Sequence, residues 1–481
     1  MVRDYWDYLR KLAQQDGRLN PADELLRDYE FWKERTLFQQ YCEWRMEKEK
    51  LAQTEVNAWP SPFRNGKKGE PYQIDFVLPE VVEDYEFIGL DKAGLNCRRD
   101  EKNPRKCHIT GTPPKTDARK ADELDIVLRY RYKGWTQGMR ELERTFRLAI
   151  NPDPRDLWND IETPENIEYY RPDTAKEYMP ARAGADDETN SVDAILKNLV
   201  AASVRGRSHA HEGKPRDDDF KMLRDETTGW HIVAVSDGAG SAPFSREGAR
   251  IACQTAVQHC HEALAQLSQP ELELFHSLAP DSEVAKDLYR ARRMMYDRIL
   301  GQAALKAHKA IREEAQSKKR EIKQYAATLL LAVCRKFKLG WFVAYFSVGD
   351  GALGLLHGDK TAELLAEPDE GEYSGQTRFI TMEDIFRDGE TFYKRVQARV
   401  VSGFEAIILM TDGVSDAKFG TDAMLHDPQR WLDLWQDLQG AVFSGAPQNQ
   451  QEAADPGVTL RDWLNFWSPG NHDDRTIAIV Y

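Results

Sequence analysis

No stretch of this 481-residue sequence stays apolar for long. The longest such run, about Ala326 to Cys334, falls far short of the ~20 residues that cross a bilayer as a helix, so no membrane partner is expected. The charged start Met-Val-Arg-Asp-Tyr has no apolar secretory segment, which points to the cytoplasm. Cysteine is scarce. Six residues, at 42, 97, 107, 253, 260 and 334, form no Cys-x-x-Cys pair, which excludes a disulfide framework or a zinc–thiolate pattern and reads as reduced, structural thiols. Basic charge is also in deficit: 66 Lys+Arg against 80 Asp+Glu leave −14. A phosphate-backbone footprint, and with it nucleic acid as a partner, is excluded on that ground. Repeats and low-complexity tracts are absent as well.

What is present is a soluble, globular composition. Hydrophobic residues make up 41% and charged residues 30%, with 12 Trp, 18 Tyr and 19 Phe, enough apolar material for sizeable cores. The length suggests two to four domains. Residues 1–58 read as a helical segment: Trp6, Leu9 and Leu12 fall on one stripe, and Asn20-Pro21 caps a second helix carrying Leu25, Tyr29 and Trp32 at spacings of four and three. That aromatic stripe is expected to be buried against a neighbouring domain rather than to dock a partner. Pro60, Pro62, Gly66 and Gly69 then form a linker. Residues 70–152 carry strand signals, the alternating runs Tyr72–Leu78 and Leu124–Tyr132 with a turn signal at Ile109–Pro113. A small β-sandwich with a binding role is expected there, and its Gly-Thr-Pro turn before a long alternating strand resembles immunoglobulin-like or cadherin-like modules. The proline-rich stretch 153–192 reads as a linker.

Beyond residue 195 the pattern changes. Apolar β-rich runs occur at His231–Ser236, Thr328–Cys334, Trp341–Val348, Ala406–Thr411 and Thr476–Val480, each bounded by polar or glycine-containing turns. Helical faces lie between them: Ala249, Cys253, Ala256, Cys260 and Leu264, then Val284, Leu288, Ala291, Met295 and Ile299. Trp431, Leu432, Leu434 and Trp435 read as the core face of a further helix. Aspartates sit at the strand ends: Asp237, Asp350 and Asp412, each followed by Gly, and Asp473 before the last run. One Asp-Gly is ordinarily a turn. Four carboxylates at converging strand ends would repel one another unless cations neutralised them, and oxygen-only ligands favour Mg²⁺ or Mn²⁺ over zinc. A pair of such ions suits phosphate-ester hydrolysis.

The ordered set Gly-Lys-Pro-Arg-Asp217-Asp218-Asp219, Val-Ser-Asp237-Gly-Ala-Gly-Ser-Ala, Ala-Ala-Thr-Leu, Val-Gly-Asp350-Gly, Met-Thr-Asp412-Gly-Val-Ser-Asp and Asp473-Asp474-Arg-Thr resembles the metal-dependent type 2C serine/threonine protein phosphatases, in their bacterial form, over residues 195–481. The resemblance implies an α+β fold, an αββα sandwich of two antiparallel sheets flanked by helices. It also implies two Mn²⁺ or Mg²⁺ ions and phosphoserine or phosphothreonine as substrate, cleaved by a water that the two ions activate. Carried over, Asp237 would bridge both ions, Gly238 would offer its carbonyl, and Asp412 and Asp473 would complete the second ion's shell. Asp218 would hold ion-bound water, with Asp217 and Asp219 leaving the register open by one residue. Asp350 would help to hold a weaker third ion. Arg207, or else Arg205, would clamp the phosphate, and His209 would act as general acid or as an outer hydrogen-bond donor. Ala239 stands where many eukaryotic members carry His, and Asp474 where many carry Asn. Glu372–Thr381 resembles the segment before the family's mobile flap.

The leading expectation is therefore a phosphoprotein phosphatase whose partner is a bacterial serine/threonine kinase or that kinase's substrate. The alternatives are a phosphatase-fold binding or regulatory module with little turnover, which retention of every main carboxylate argues against, and a hydrolase of small phosphate esters or nucleotides.

Overall fold

The computed structural model describes residues 7, 8, 11, 15, 23–181, 196–280, 285–369, 377–443 and 455–481. Trp6, Leu9, Leu12, Asn20-Pro21, Val284 and Glu372–Gln376 lie outside them. The chain divides into two compact units, Met1–Leu157 and Trp158–Tyr481. No helix among the described residues is long and apolar enough to cross a membrane.

Residues 7, 8, 11 and 15 of the first unit are helical, and a long helix spans Asp23–Ala58. Its last turns bury Ala52 and Val56 in a core with Leu128, Tyr130, Leu142 and Phe146. The expectation of a buried aromatic stripe is not met, for Tyr29 and Trp32 are 40% and 60% exposed, and Phe38 and Trp44 are exposed further along. Tyr29 and Trp32 do share one side of the helix, with rings stacked 6.0 Å apart, but the residues of the helix that enter the core are Ala52 and Val56 in its last turns. Seven strands follow: β1 (Gly66–Lys67), β2 (Tyr72–Val77), β3 (Val82–Ile88), β4 (Leu95–Arg99), β5 (Lys106–Gly111), β6 (Asp122–Tyr132) and β7 (Leu142–Asn151). They form a four-stranded sheet in the order β1-β7-β6-β3 and a three-stranded sheet in the order β2-β5-β4. Leu95 and Ile109 of the smaller sheet share a core with Ile126 and Leu148 of the larger. The turn expected at Ile109–Pro113 starts late: Ile109 is fully buried and pairs with Ile74 and Cys97, and a β-branched core residue favours continuing the strand to Gly111.

The second unit contains β8 (Thr174–Met179), β9 (Leu199–Val204), β10 (Asp219–Arg224), β11 (His231–Ser236), β12 (Leu329–Lys336), β13 (Trp341–Val348), β14 (Ala352–Leu356), β15 (Ala362–Ala366), β16 (Val396–Val401), β17 (Ala406–Met410) and β18 (Arg475–Val480). One sheet runs β10-β11-β12-β13-β16 and the other β15-β14-β17-β18-β9-β8, every pair antiparallel. The strands read as unbroken apolar runs because both of their faces are covered. Val233, Val235, Leu330 and Tyr345 of the first sheet meet Leu353, Leu355, Ile407 and Ala478 of the second in one core. The opposite face of the first sheet packs on helices Ser245–Ala265 and Leu300–Ser317 through Ile232, Cys253, Ala256, Cys260 and Ala304. The opposite face of the second packs on helices Pro428–Leu438 and Pro456–Trp463, with Trp431, Leu434 and Trp435 buried as core residues. The fold is α+β.

Within the expected linker 153–192, residues 158–179 belong to the second unit. Thr174–Met179 is an edge strand of the six-stranded sheet, paired residue for residue with Leu199–Val204, and 159–173 is tied to the second unit by side-chain and backbone hydrogen bonds. Four prolines and weak periodicity hid a segment whose order comes from arginines elsewhere in the chain rather than from its own propensity.

Candidate active site

The strand ends do converge. Asp237 follows β11, where its N–H donates to Thr328 Oγ1 (2.8 Å) and its carbonyl accepts from the N–H of Thr328 (2.8 Å), while Gly238 makes an isolated bridge to Ala327. Asp350 follows β13, and Asp412 opens the helix Asp412–Phe419 just after β17. Carboxylate oxygens of Asp237, Asp350 and Asp412 all lie within 4.8 Å of one another. Asp218 is buried close enough to Asp237 for the two charges to repel. Its Oδ2 accepts from Thr411 Oγ1 (2.9 Å) and Thr476 Oγ1 (2.7 Å), which turns Oδ1 free of any partner. Two glycines allow the loops to close: a Cβ on Gly206 would sit 2.3 Å from the Asp473 carbonyl carbon, and one on Gly413 would sit 1.9 Å from the Asp474 carbonyl oxygen.

The electrostatics are those of carboxylates crowded together below the surface. Burial, then the charges of Asp412, Asp218 and Asp473, hold the Asp237 carboxyl well above the usual range. Burial, then Asp350 and Asp473, do the same to Asp412. Asp218 is pushed up to about 7 by burial and by Asp474, and Asp416 to about 6 by burial and by Asp350. Asp218 Oδ1, Asp350 Oδ1 and Asp412 Oδ1 are buried and without hydrogen-bond partners, and the other Asp350 oxygen accepts from Thr377 Oγ1 (2.5 Å). Recessed, repelling, partly unpartnered carboxylates with all-oxygen donors fit hard divalent cations.

The remaining expected residues are distributed as follows. Asp473 is exposed at the rim, grouped with His209 and Asp474 within 4.8 Å. His209 is not a surface residue: it is 7% exposed, its Nδ1 lies 3.0 Å from Asp474 Oδ1, and its Nε2 lies 3.8 Å from Asp217 Oδ2. Burial opposes its charge, but the hydrogen bond and charge of Asp474, with Asp217 and Asp473, raise it to about 9. Arg207 opens the helix Arg207–Glu212, with its guanidinium 5.1 Å from the Trp467 ring centre, one long hydrogen bond to Asn465 O (3.4 Å) and an unpartnered Nε. Arg205, the other candidate phosphate clamp, is committed elsewhere. Its side chain is 5% exposed and bonds Asp160 (2.8 Å), Thr163 (2.7 Å) and Asp173 (3.1 Å), so its charge is already answered.

One residue carries more than its sequence context suggested. Asp474 accepts the N–H of Gly206 (2.6 Å), the N–H of Asp217 (2.5 Å) and His209 Nδ1. Burial works to raise its carboxyl, but His209 and these two N–H groups overcome it and hold the carboxyl below the usual range. Asp474 thus gathers the 206–209 and 217 segments around the acidic cluster. Thr411 and Thr476, which aim Asp218, were also not singled out. Their one sequence signal is position, each beside a strand end that carries an aspartate.

The chain is similar to known proteins. A curated relative, serine/threonine-protein phosphatase 3 of Escherichia coli (strain K12), is 27% identical over 281 residues, 55% of this chain and 98% of the relative. Among solved structures, the serine/threonine phosphatase Stp1 of Staphylococcus aureus matches 61% of this chain and 98% of its own at 10% identity and a TM-score of 0.35. PppA of Pseudomonas aeruginosa, described as a key regulatory component of T6SS, matches 60% and 98% at 14% identity and a TM-score of 0.34. The family model described as Protein phosphatase 2C matches residues 205–460, more than half of the sequence, and includes Asp218, Asp237, Asp350 and Asp412. The chain belongs to the Protein phosphatase 2C family.

Proposed function

We propose that this chain hydrolyses phosphoserine and phosphothreonine in proteins, with Asp237, Asp412, Asp473 and the Gly238 carbonyl holding two Mn²⁺ or Mg²⁺ ions, Asp218 ordering water beside them, and Asp350 serving a weaker third site. The observation that carries this reading is the convergence of Asp237, Asp350 and Asp412 within 4.8 Å, with buried carboxylate oxygens left unpartnered. Bound divalent ions would supply an acidified water and positive charge for an in-line displacement at phosphorus.

The chain's own residues do the rest. Thr411 and Thr476 fix the Asp218 carboxylate so that one oxygen faces the cluster. Arg207, with its guanidinium loosely held over Trp467, can turn to take two phosphate oxygens, which a guanidinium does bidentately. His209, protonated at neutral pH, adds a buried positive charge and secures the loop through Asp474. Ala239 has no proton to give a leaving group. Layering of the two sheets between helices supports the αββα arrangement. A serine/threonine kinase acting on the same phosphoprotein is the proposed partner, the cytoplasm the proposed location, and binding the proposed role of the β-strand module in the first unit.

The test is phosphopeptide hydrolysis by the full chain during Mn²⁺ and Mg²⁺ titration, with metal binding followed by calorimetry. Saturable, metal-dependent turnover is expected. Undiminished hydrolysis after exhaustive chelation would overturn the reading.

A further inference from the structure

The helix Arg207–Glu212 carries two of the proposed site residues and is only six residues long. A helix so short has no stability of its own, and its orientation must come from what grips it. On one side it is held by the catalytic loop 471–474: Ser208 donates from its N–H (3.0 Å) and its Oγ (2.8 Å) to His472 O, and Gly206 N–H donates to Asp474. The other side is gripped by residues 158–161, which precede the family-matched region. Asn159 N–H donates to His211 Nδ1 (2.9 Å), and Ile161 N–H to Ala210 O (2.9 Å). The Trp158 ring lies 5.4 Å from the His211 ring and 4.4 Å from the His472 ring, so one indole touches both loops of the site.

The same segment is anchored twice more. Asp160, Thr163 and Asp173 take the Arg205 guanidinium, and the Asp173 carbonyl accepts the Arg205 N–H (2.8 Å). The carbonyls of Glu168 and Tyr169 accept from Arg246 (2.7 and 3.0 Å), whose third nitrogen lies 3.7 Å from Asp217 Oδ1. The Glu168 carboxylate in turn binds Arg320 through both oxygens (3.1 and 2.6 Å). Their common effect is to hold the segments that carry Arg207, His209 and Asp217.

We propose that residues 158–173 form a positioning strap for the active site, in which Trp158 locks the helix Arg207–Glu212 to the 471–474 loop and the Arg205 cluster fixes the strand end from which that helix springs. The strap acts on the reaction proposed above, yet its grip on the two loops is a property of the fold and can be measured without turnover. Trp158 and Arg205 are positioning residues here. A small displacement of Arg207 or His209 suffices to lower turnover, since misplacement by about 1 Å can cost on the order of 10²-fold.

The test uses the full chain and hydrogen–deuterium exchange read by mass spectrometry. In Trp158→Ala, exchange at 206–213 and 471–474 is expected to rise severalfold while β11 and β12 keep theirs, and kcat towards p-nitrophenyl phosphate to fall by about tenfold or more with a smaller change in KM. Trp158→Phe, which keeps an aromatic face, should restore most of the protection. Should Trp158→Ala fail to fold, Asp160→Asn serves, since Asp160 is 87% exposed and its loss removes one partner of Arg205; exchange at 206–213 should then rise. Unchanged exchange at both loops, or an equal rise in β11 and β12, would overturn the strap. Absence of hydrolysis by the unmodified chain would instead sink the phosphatase reading and leave the exchange result to decide the strap alone.

Discussion

The two units use charge in opposite ways. In the first, the outer surface of the larger sheet carries a ladder of exposed ion pairs, Arg129 with Glu86 and Glu143 (2.8 Å each) and Arg131 with Glu141 (2.6 Å) and Asp84 (3.6 Å). Each charge there faces an opposite one across neighbouring strands, and water screens what is left. In the second, carboxylates gather below the surface at strand ends with several oxygens unpartnered. The residue types are the same, but solvent and sign decide their work. A solvated array of paired opposite charges is a surface, whereas a recessed array of like charges stores repulsion that a bound cation or a proton relieves.

The largest effect should come from removing one carboxylate of the recessed set. Asp237→Asn is expected to lower phosphopeptide turnover by about 10²–10³-fold, in line with the loss of one main electrostatic group from an active site. Steady-state assays at saturating Mn²⁺ check this, and near-normal kcat would dissolve the contrast between the units.

Lys68 sharpens the comparison from the other side, because it is a buried charge in the first unit that is fully answered. Its ammonium donates to the carbonyls of Thr116 (2.7 Å) and Asp117 (2.8 Å) and pairs with Asp122 (2.9 Å), with none of the side chain exposed. Lys68→Ala strands those acceptors and is expected to destabilise the chain by about 2–4 kcal/mol without changing kcat. Denaturant unfolding and turnover, measured on the same preparation, decide it.

Next in size is a dependence on pH that belongs to the second unit. Folded Asp218 keeps its proton up to about pH 7, whereas an unfolded aspartate releases it near ~3.9, so folding binds a proton between those values and stability grows as pH falls through 7. His209, raised to about 9, contributes stability that is complete below its unfolded value of ~6.5 and is lost as pH rises through 9. Both signs agree, and the Tm of chelated protein should climb on going from pH 9 to pH 6.5. Saturating Mn²⁺ should flatten the Asp218 part of that slope. Below pH 6.5 buried His231, lowered to about 4 chiefly by burial, works in the opposite direction, since its unfolded form gains a proton first. A Tm that falls steadily from pH 9 to 6.5 would refute the assignment.

The smallest effect is expected from the ladder of exposed pairs. Arg129→Ala should leave both Tm and turnover within experimental scatter, because its partners remain solvated when it is gone. A marked loss of activity would show that this surface is not the passive array described here.

How far these features were legible in the sequence differs from one to the next. Alternation at Tyr72–Leu78 and Leu124–Tyr132 gave β2 and β6, and the apolar runs from His231 to Val480 gave β11, β12, β13, β17 and β18, but not the equally buried β9 and β14. Ala249, Ala256 and Cys260 occupy the buried face expected of them, since periodicity is a local signal. The helix that follows is less regular than its spacing implied: Ala291, Met295 and Ile299 are buried, but a π-helical turn at Met295–Ile299 interrupts it. Arg205 and Arg207 could not be separated by sequence because both flank Gly206, and what distinguishes them is Asp160 and Asp173 on a segment whose prolines suggested a tether.

By itself, then, the sequence determined the kinds of element, the aspartates at their ends and the family, all of which depend on residues close together in the chain. Tertiary structure alone decided that Asp160 and Asp173 occupy Arg205, that Asp474 gathers the loops around the site, and that 158–173 grips the helix bearing Arg207. The physical reason is separation. The bond from Gly206 to Asp474 spans 268 residues, and that from Thr476 to Asp218 spans 258, distances over which no local pattern carries information and only the closing of the sheets brings donor to acceptor.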